Sequence, residues 1–397
     1  MERKITEQAE AIFPRVQAFR RHLHAHPELS FAENRTQRYI MDSLAAEGIA
    51  CRPIAGTGVL AVIEGVGDLS EAVMLRADID ALPVTEQADV DFASENEGVM
   101  HACGHDMHAA VLFGALVLLN RGRASIKGTV LGLFQPGEER NPGGASLVLA
   151  EQPFEGYRIR AFIGEHTEPE MPAGVFGFRE GKYMASSDEL RITVYGKGGH
   201  AAMRAELKDP VAATAEIITG LLAIPAENPD PNTPSVVSIG RVEAGGATNV
   251  VPGEVYMEGT IRAFDEAWRG QMKDRIMELC ASMDARYGTR SDIDISTGFP
   301  SVVNNPELTR RAAKIATELF GTEAVEALDI RPTAEDFGFY TQVYPSVFYR
   351  FGVGEQALDA RHRSTTPAGR LHTPTLCPNE HSLPSAVALM TTLALEL

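Results

Sequence analysis

At 397 residues, with 44% hydrophobic and 23% charged side chains, the chain is long and apolar enough for two globular domains, each with its own core. Its 36 Lys and Arg against 54 Asp and Glu leave a formal charge of −18, which argues against nucleic acid or an anionic membrane surface as a partner. Four scattered cysteines (Cys51, Cys103, Cys280, Cys377), no apolar run of membrane-spanning length and a charged start without the apolar stretch of a signal peptide make a cytoplasmic protein the expectation.

Residues 6–24 show helical periodicity, and Pro14 predicts a break or restart within it. His22, His24 and His26 are two apart, so on a helix they diverge; they read as packing or capping residues rather than as ligands. A second helix is predicted at 33–47, stopped by Gly48, followed by strands near 59–64 and 72–79, the latter ending in Arg76-Ala77-Asp78-Ile79-Asp80.

The densest chemistry follows: His101-Ala102-Cys103-Gly104-His105-Asp106-Met107-His108. Cys103 and His105 are two apart, so in an extended segment both side chains leave on one side, and Gly104 permits a tight loop between them. A thiolate and an imidazole so placed suit a first-row transition metal, and Asp106 could fix the tautomer of a ligating histidine. A zinc finger is excluded because no second Cys pair exists, and a dithiol redox site because no C-x-x-C occurs. A solvated polar turn is the remaining alternative, and the apolar run that follows at once, a buried helix, argues against it.

Strands at 129–134 and 160–164 alternate with a helix opened by Pro142-Gly143-Gly144. The first strand runs into Gln135-Pro136-Gly137-Glu138-Glu139 and the second into Glu165-His166-Thr167-Glu168-Pro169. Metal-type residues just past strand ends fit an α/β layer, whose ligands bind outside the carboxyl ends of the strands. Near Ser186 the pattern changes to strand (189–195), helix (210–222), strand (235–242), strand (255–261), helix (266–287), strand (292–297), the ferredoxin-like order. After Pro300 the chain returns to α/β character, with a helix at 307–320, a strand near 347–351, a polar irregular loop at 354–369, His372 in a Pro-bounded turn and a last helix from Glu380. One domain is therefore expected inside the other: 186–299 inserted between 1–185 and 300–397.

Glu138 and Glu139 are adjacent and point in different directions, so one can hold a metal while the other serves as general base; a solvated acidic loop is the alternative reading. His166 and His372 are single histidines, each by itself more often a core or surface residue than a ligand.

HACGHDMH, FQPGEE, GEHTEP, GKGGHAA, GGATNVVPG, GTIR, TAEDFG and LHTP occur in the order and approximate spacing of the bacterial and plant N-acyl-amino-acid amidohydrolases. The chain resembles that family (metallopeptidase family M-twenty, subfamily D, with hippurate hydrolase, auxin-conjugate hydrolase and N-acetyldiaminopimelate deacetylase) from RRHLHAHPELS to its C-terminus. The resemblance implies a metal-dependent exopeptidase-like catalytic α/β domain and an inserted α+β lid domain through which the chain forms a homodimer. It implies metal ligation by Cys103, His105, Glu139, His166 and His372, with Glu138 as general base. It places His200 in the active site of the other subunit, has Asn249 and Arg262 bind polar groups of the substrate, and puts Asp80 behind the ligands. Asp78 stands where more distant relatives have a metal-binding histidine.

Three positions depart from the family pattern. Gly137 replaces the usual alanine in FQPGEE, which predicts a looser catalytic loop. Glu165 replaces an apolar or neutral residue, which predicts added negative charge near the metals. Met203-Arg204-Ala205 follows GKGGHAA where a Pro-His pair is common, which predicts a different lid contact to substrate.

The implied activity is hydrolysis of an N-acyl amino acid by one or two divalent ions. A thiolate ligand argues against magnesium or calcium and leaves zinc, manganese, cobalt and nickel. A dipeptidase or carboxypeptidase with the same machinery is the alternative within the enzyme class. A non-catalytic metal- or ligand-binding protein on this scaffold predicts loss of Glu138 or of a ligand, and the sequence retains them all. A thiol sensor at Cys103 needs a resolving cysteine, and none is near in sequence.

Overall fold

The computed structural model describes residues 2–355 and 368–397, so the loop expected at 354–369 falls, but for its ends, outside the described residues. Its main elements are α1 (Glu2–Ala25), α2 (Asn34–Ala46), β1 (Ala50–Ile54), β2 (Gly58–Glu64), β3 (Glu71–Asp78), α3 (His105–Arg121), β4 (Thr129–Gln135), α4 (Gly144–Ala150), β5 (Arg158–Pro172) and β6 (Phe176–Phe178). There follow β7 (Asp188–Tyr195), α5 (Pro210–Ala223), β8 (Val236–Ala244), β9 (Glu254–Arg262), α6 (Glu266–Tyr287) and β10 (Arg290–Thr297). The chain closes with α7 (Pro306–Phe320), β11 (Val325–Ala327), β12 (Ser346–Gly354) and α8 (Leu383–Glu396). It divides into two compact units: the chain up to Gly181 with Val303–Asp329 and Phe339–Leu397, and Lys182–Val302 with Ile330–Gly338. The TAEDFG stretch at 333–338 thus goes with the second unit, although the sequence order put it in the outer domain.

The first unit is built on a mixed eight-stranded sheet of order β1-β2-β4-β3-β5-β12-β6-β11. Its centre, β4-β3-β5-β12, is parallel, so the carboxyl ends of β3, β4 and β5 open on one side. β4 is buried along its whole length, which is why its sequence is apolar without alternation. α3 is buried from His105 to Leu119 and reads as apolar all round for the same reason. α1 runs unbroken through Pro14, contrary to the expected break. Ile5, Ala9, Ile12, Val16, Phe19 and Leu23 bury one stripe of it. At about 1.5–3 kcal/mol for each large apolar side chain, that stripe outweighs the roughly 3 kcal/mol of an interior proline. Pro14 and Glu10, whose carbonyl loses its partner, are both exposed to solvent.

β5 is longer than the sequence predicts. Glu165 and His166, expected in a loop, lie within it, because β12 pairs alongside with Tyr349 opposite Glu165 and Arg350 opposite His166. β1, with Pro53 and no alternation, gave no strand signal; it is an edge strand on β2, where a missing N–H is tolerated.

The second unit carries a four-stranded antiparallel sheet of order β8-β9-β7-β10, the ferredoxin-like arrangement. Leu190, Ile192 and Val194 of β7 face α5 (Ala213, Ile217, Leu221) and α6 (Trp268, Met272, Ile276, Cys280) in one core. Residues 210–227 are apolar enough in composition to span a membrane, a feature the sequence reading missed, yet this stretch supplies Ile217, Leu221 and Ile224 to that core. Asp188 is fully buried at the start of β7 and accepts from Arg269 Nε and Nη2 at 2.7 Å and from Lys273 at 3.0 Å. Burial raises its carboxyl, but the bonds and charges of these two cations outweigh that and hold it below the usual carboxylate range.

Candidate active site

β5, the loop after β4, the N-terminus of α3 with the residue before its cap, and the turn at His372 bring six side chains of the first unit together. Ligand atoms of Cys103, His105 and His166 lie within 4.8 Å of one another, as do those of Cys103, Glu139 and His372, and of His105, Glu138 and Glu139. Cys103, His105 and Glu139 each belong to two of these groups, so the three sets overlap in one cluster. The sulfur is 3.4 Å from His166 Nε2, and Glu139 Oε1 is 3.1 Å from His372 Nε2 and 3.9 Å from His105 Nε2.

His105 Nε2 is buried and has no hydrogen-bond partner, which would be costly unless a cation fills the space between it and Glu139 Oε1, 3.9 Å away. Burial disfavours a charged His105, yet Asp78, Asp80 and Glu139 overcome it and push the ring up to about 10. Burial, reinforced by Glu139 and Glu138, pushes the Cys103 thiol well up. The cage is built for positive charge, and two of its members must lose protons to receive a metal. The donor set of sulfur, imidazole and carboxylate fits divalent transition-metal ions.

Local structure explains the aim of each ligand. Gly104 caps α3 at φ +83°, and a Cβ there would stand 2.7 Å from Thr167 Oγ1, so only glycine lets Cys103 and His105 turn inward together. His105 Nδ1 lies 3.2 Å from Asp80 Oδ1, which leaves Nε2 for the ion. His166 Nδ1 donates to the Thr167 carbonyl at 2.8 Å, which does the same for that ring. The Thr167 hydroxyl in turn donates to the Cys103 carbonyl at 3.1 Å. His372 is exposed, sits at φ +62° and donates its N–H to the Ala102 carbonyl at 2.7 Å.

Asp106 does not make the bond expected of it. It turns away from the ligand histidines to His24 Nδ1 at 2.9 Å and Arg20 Nε at 2.6 Å, because the helix sends adjacent side chains in different directions. His24 is thereby half explained by the sequence: it is not a ligand, but a buried ring held between Asp106 and Glu86. His22 and His26 diverge from it and stack on each other with centroids 4.4 Å apart.

His108 and Thr167 escaped the sequence reading. His108 is fixed by Asp78 Oδ1 at 2.6 Å and accepts the Thr167 N–H at 2.8 Å, and Arg76 Nη1 donates to Asp78 at 2.7 Å. Asp78, His105 and His108 also lie close enough to share an ion, but the bonds of Asp78 and His108 already have these partners. The third histidine of the cluster was the available signal; its partners lie 30 and 59 positions away.

Glu165 is buried within β5, where burial pushes its carboxyl well up and it accepts from the Tyr349 hydroxyl at 2.9 Å. One of the expected departures turns out otherwise. Gly137 does not loosen its loop. Its φ is +62°, where a side chain costs roughly 1–2 kcal/mol, and a Cβ there would stand 2.1 Å from Cε1 of Phe31.

The other expected residues lie in the second unit. His200 is exposed in a two-residue strand opposite Val250, and the Ala201 N–H bonds the Asn249 carbonyl at 2.9 Å, so His200 and Asn249 are neighbours. Arg262 ends β9 and donates to Ser187 Oγ at 2.7 Å. Met203 is exposed, and Arg204 and Ala205 begin a short 3₁₀ turn.

Residues 74–394 match the profile of peptidase family M20/M25/M40. The chain is 40% identical over 344 residues to an N-acetylcysteine deacetylase of Bacillus subtilis, covering 86% of this chain and 89% of that one. It is 36% identical over 337 residues to thermostable carboxypeptidase 2 of Saccharolobus solfataricus, covering 84% of each. Among solved structures, a dinuclear metal-binding peptidase of Bacillus subtilis superposes with a TM-score of 0.82 at 35% identity, covering 97% of this chain and 98% of that one.

Proposed function

Because the chain belongs to peptidase family M20/M25/M40, we propose that its caged residues hydrolyse the amide bond of N-acyl amino acids, releasing a carboxylic acid and a free amino acid. The observation that carries this is the meeting of a six-residue ligand and carboxylate set with an orphaned, buried ligand atom, His105 Nε2. In this reading Cys103, His105, Glu139, His166 and His372 would hold two divalent ions. The likeness to a dinuclear relative and the two ligand groups that share Cys103 support that count. Manganese and zinc are the proposed ions, since both accept this mixture of ligands.

Bound ions of this kind polarise an amide carbonyl and make water acidic enough to attack near neutral pH. Glu138 takes the proton from the attacking water and returns it to the leaving nitrogen as the C–N bond breaks. Asp80 and Thr167 hold His105 and His166 in their tautomers throughout. His200 stabilises the oxyanion, working in the partner subunit of a homodimer formed through the second unit, and Asn249 and Arg262 bind the substrate's polar groups. A guanidinium offers two parallel donors, which suits the free carboxylate of the amino-acid half. Burial lowers the Arg262 group from its ordinary range, and Asp188 and Glu189 act against that. The proposed setting is the cytoplasm.

The test is a panel of acetyl-, benzoyl- and indoleacetyl-amino acids, beside dipeptides, assayed after reconstitution with each metal. Turnover of simple acyl groups, abolished by a chelator and dependent on a free carboxylate, is the expected result. Cleavage of dipeptides alone would replace the reading with a peptidase, as the carboxypeptidase relative suggests. Binding without turnover of any amide would leave only a ligand-binding protein.

A further inference from the structure

Residues 28–33, between α1 and α2, touch the carboxylate loop at Gly137 and reach it a second way through Asp80. The Glu28 carbonyl accepts the Ala81 N–H at 2.8 Å, which lays the segment beside the end of β3. The Ser30 hydroxyl donates to Asp80 Oδ2 at 2.7 Å, the same oxygen that accepts the Glu139 N–H at 2.9 Å. Glu33 Oε1 accepts the Gly137 N–H at 2.8 Å, and Glu33 itself is fully buried and anchored by the Thr57 hydroxyl. Between them stands Phe31, whose ring occupies the space a Cβ on Gly137 would need.

Both members of that contact have left-handed backbone, φ +64° at Phe31 and +62° at Gly137. For a bulky aromatic residue this conformation is a genuine outlier, and such strain persists where the surroundings hold it in place for a purpose. The site described above supplies the purpose: Gly137 directly precedes Glu138 and Glu139, so its backbone angles set where both carboxylates point.

We propose that residues 28–33 are a positioning clasp for the loop that carries the base, with Phe31 and Gly137 as its matched steric pair. Neither residue touches the reacting atoms; they act through the backbone of Glu138. The segment and the loop are more than 100 positions apart in sequence, so the match exists only in the fold. The proposal rests on Glu138 being the base of an amide hydrolase.

The test is the cycle of Phe31→Ala, Gly137→Ala and the double variant. Each is scored for kcat and KM per metal-loaded molecule, for bound metal and for thermal midpoint. Gly137→Ala alone is expected to lose roughly ten- to a hundredfold in kcat, because the methyl must push the ring or the loop aside. KM should stay within about threefold, since a displaced base weakens the transition state and not substrate binding. In the double variant the methyl has room, and kcat should recover at least about fivefold over Gly137→Ala.

A double variant no better than Gly137→Ala, or a fully active Gly137→Ala, overturns the clasp. A pair that matters only for stability would move the midpoint and leave kcat per folded molecule unchanged, which also overturns it. If Gly137→Ala does not fold, a double variant that folds again reports the same steric relief, and one that stays unfolded refutes it. If the wild-type protein cleaves no amide at all, the base assignment fails on its own, and the midpoints still judge the steric pair.

Discussion

The N–H of Glu139 bonds Asp80 Oδ2 at 2.9 Å, while Oδ1 of the same carboxylate lies 3.2 Å from His105 Nδ1. One buried carboxylate therefore aligns a histidine on α3 and a loop after β4 toward the same point, and neither loop can shift without the other. Burial raises the Asp80 carboxyl, but its bonds to His105, Glu139 and Ser30 overcome this and hold it below the ordinary range, so it stays an acceptor. Replacing Asp80 with alanine should weaken metal binding by roughly ten- to a hundredfold even though no proposed ligand is removed. Competition with a chromogenic chelator measures it; unchanged affinity would mean His105 needs no such partner.

Glu138→Gln and Glu139→Gln should fail in different ways. The first keeps shape and removes basicity, so metal stays while turnover falls by at least about a hundredfold. The second removes a charged ligand, so bound metal drops together with the rate. Metal analysis of the purified variants decides it, and equal metal loss in both would reverse or void the assignment.

Cys103→Ser should change metal preference, because a hydroxyl is a hard and poor substitute for a thiolate. Serine at Cys51, Cys280 or Cys377 should leave metal content as it was. Burial and the neighbouring carboxylates raise Cys103, and Asp78, Asp80 and Glu139 raise His105 to about 10 against its burial, so uptake must displace protons. Metal affinity of the wild type should therefore rise between about pH 6 and pH 8, and proton release should be visible in weakly buffered calorimetry. An affinity flat across that range would show that neither group ionises on binding.

The proposed composite site predicts complementation between two dead proteins. If His200 serves the partner's site, a mixed dimer of Glu138→Gln and His200→Ala has one doubly damaged site and one intact site. Co-refolding the two should restore up to about a quarter of wild-type activity, since half the dimers mix and each keeps one of two sites. A verified mixture that remains inactive would confine His200 to its own subunit or to no role.

Much of this protein was written in local sequence. The alternation of β7, the stripe of α1, the ferredoxin-like order and the α/β layer follow from side-chain period, because burial on one face imposes it. HACGHDMH announced metal chemistry because two soft donors and a glycine within three residues suit little else. Adjacent Glu138 and Glu139 announced a division of labour for the same local reason.

What the sequence could not carry were relationships whose partners are far apart in the chain. Pro14 could not be weighed against a buried stripe until α3 and α8 lay beside α1. The loop expected around His166 became strand because β12, some 180 positions later, pairs with it. Asp106 and Asp80 look equally able to serve a histidine in sequence; only the direction of α3 gives Asp106 to Arg20 and His24 and leaves Asp80 for His105. Gly137 reads locally as slack, and it takes the ring of Phe31, packed against it across the fold, to make that position the most tightly constrained in its loop.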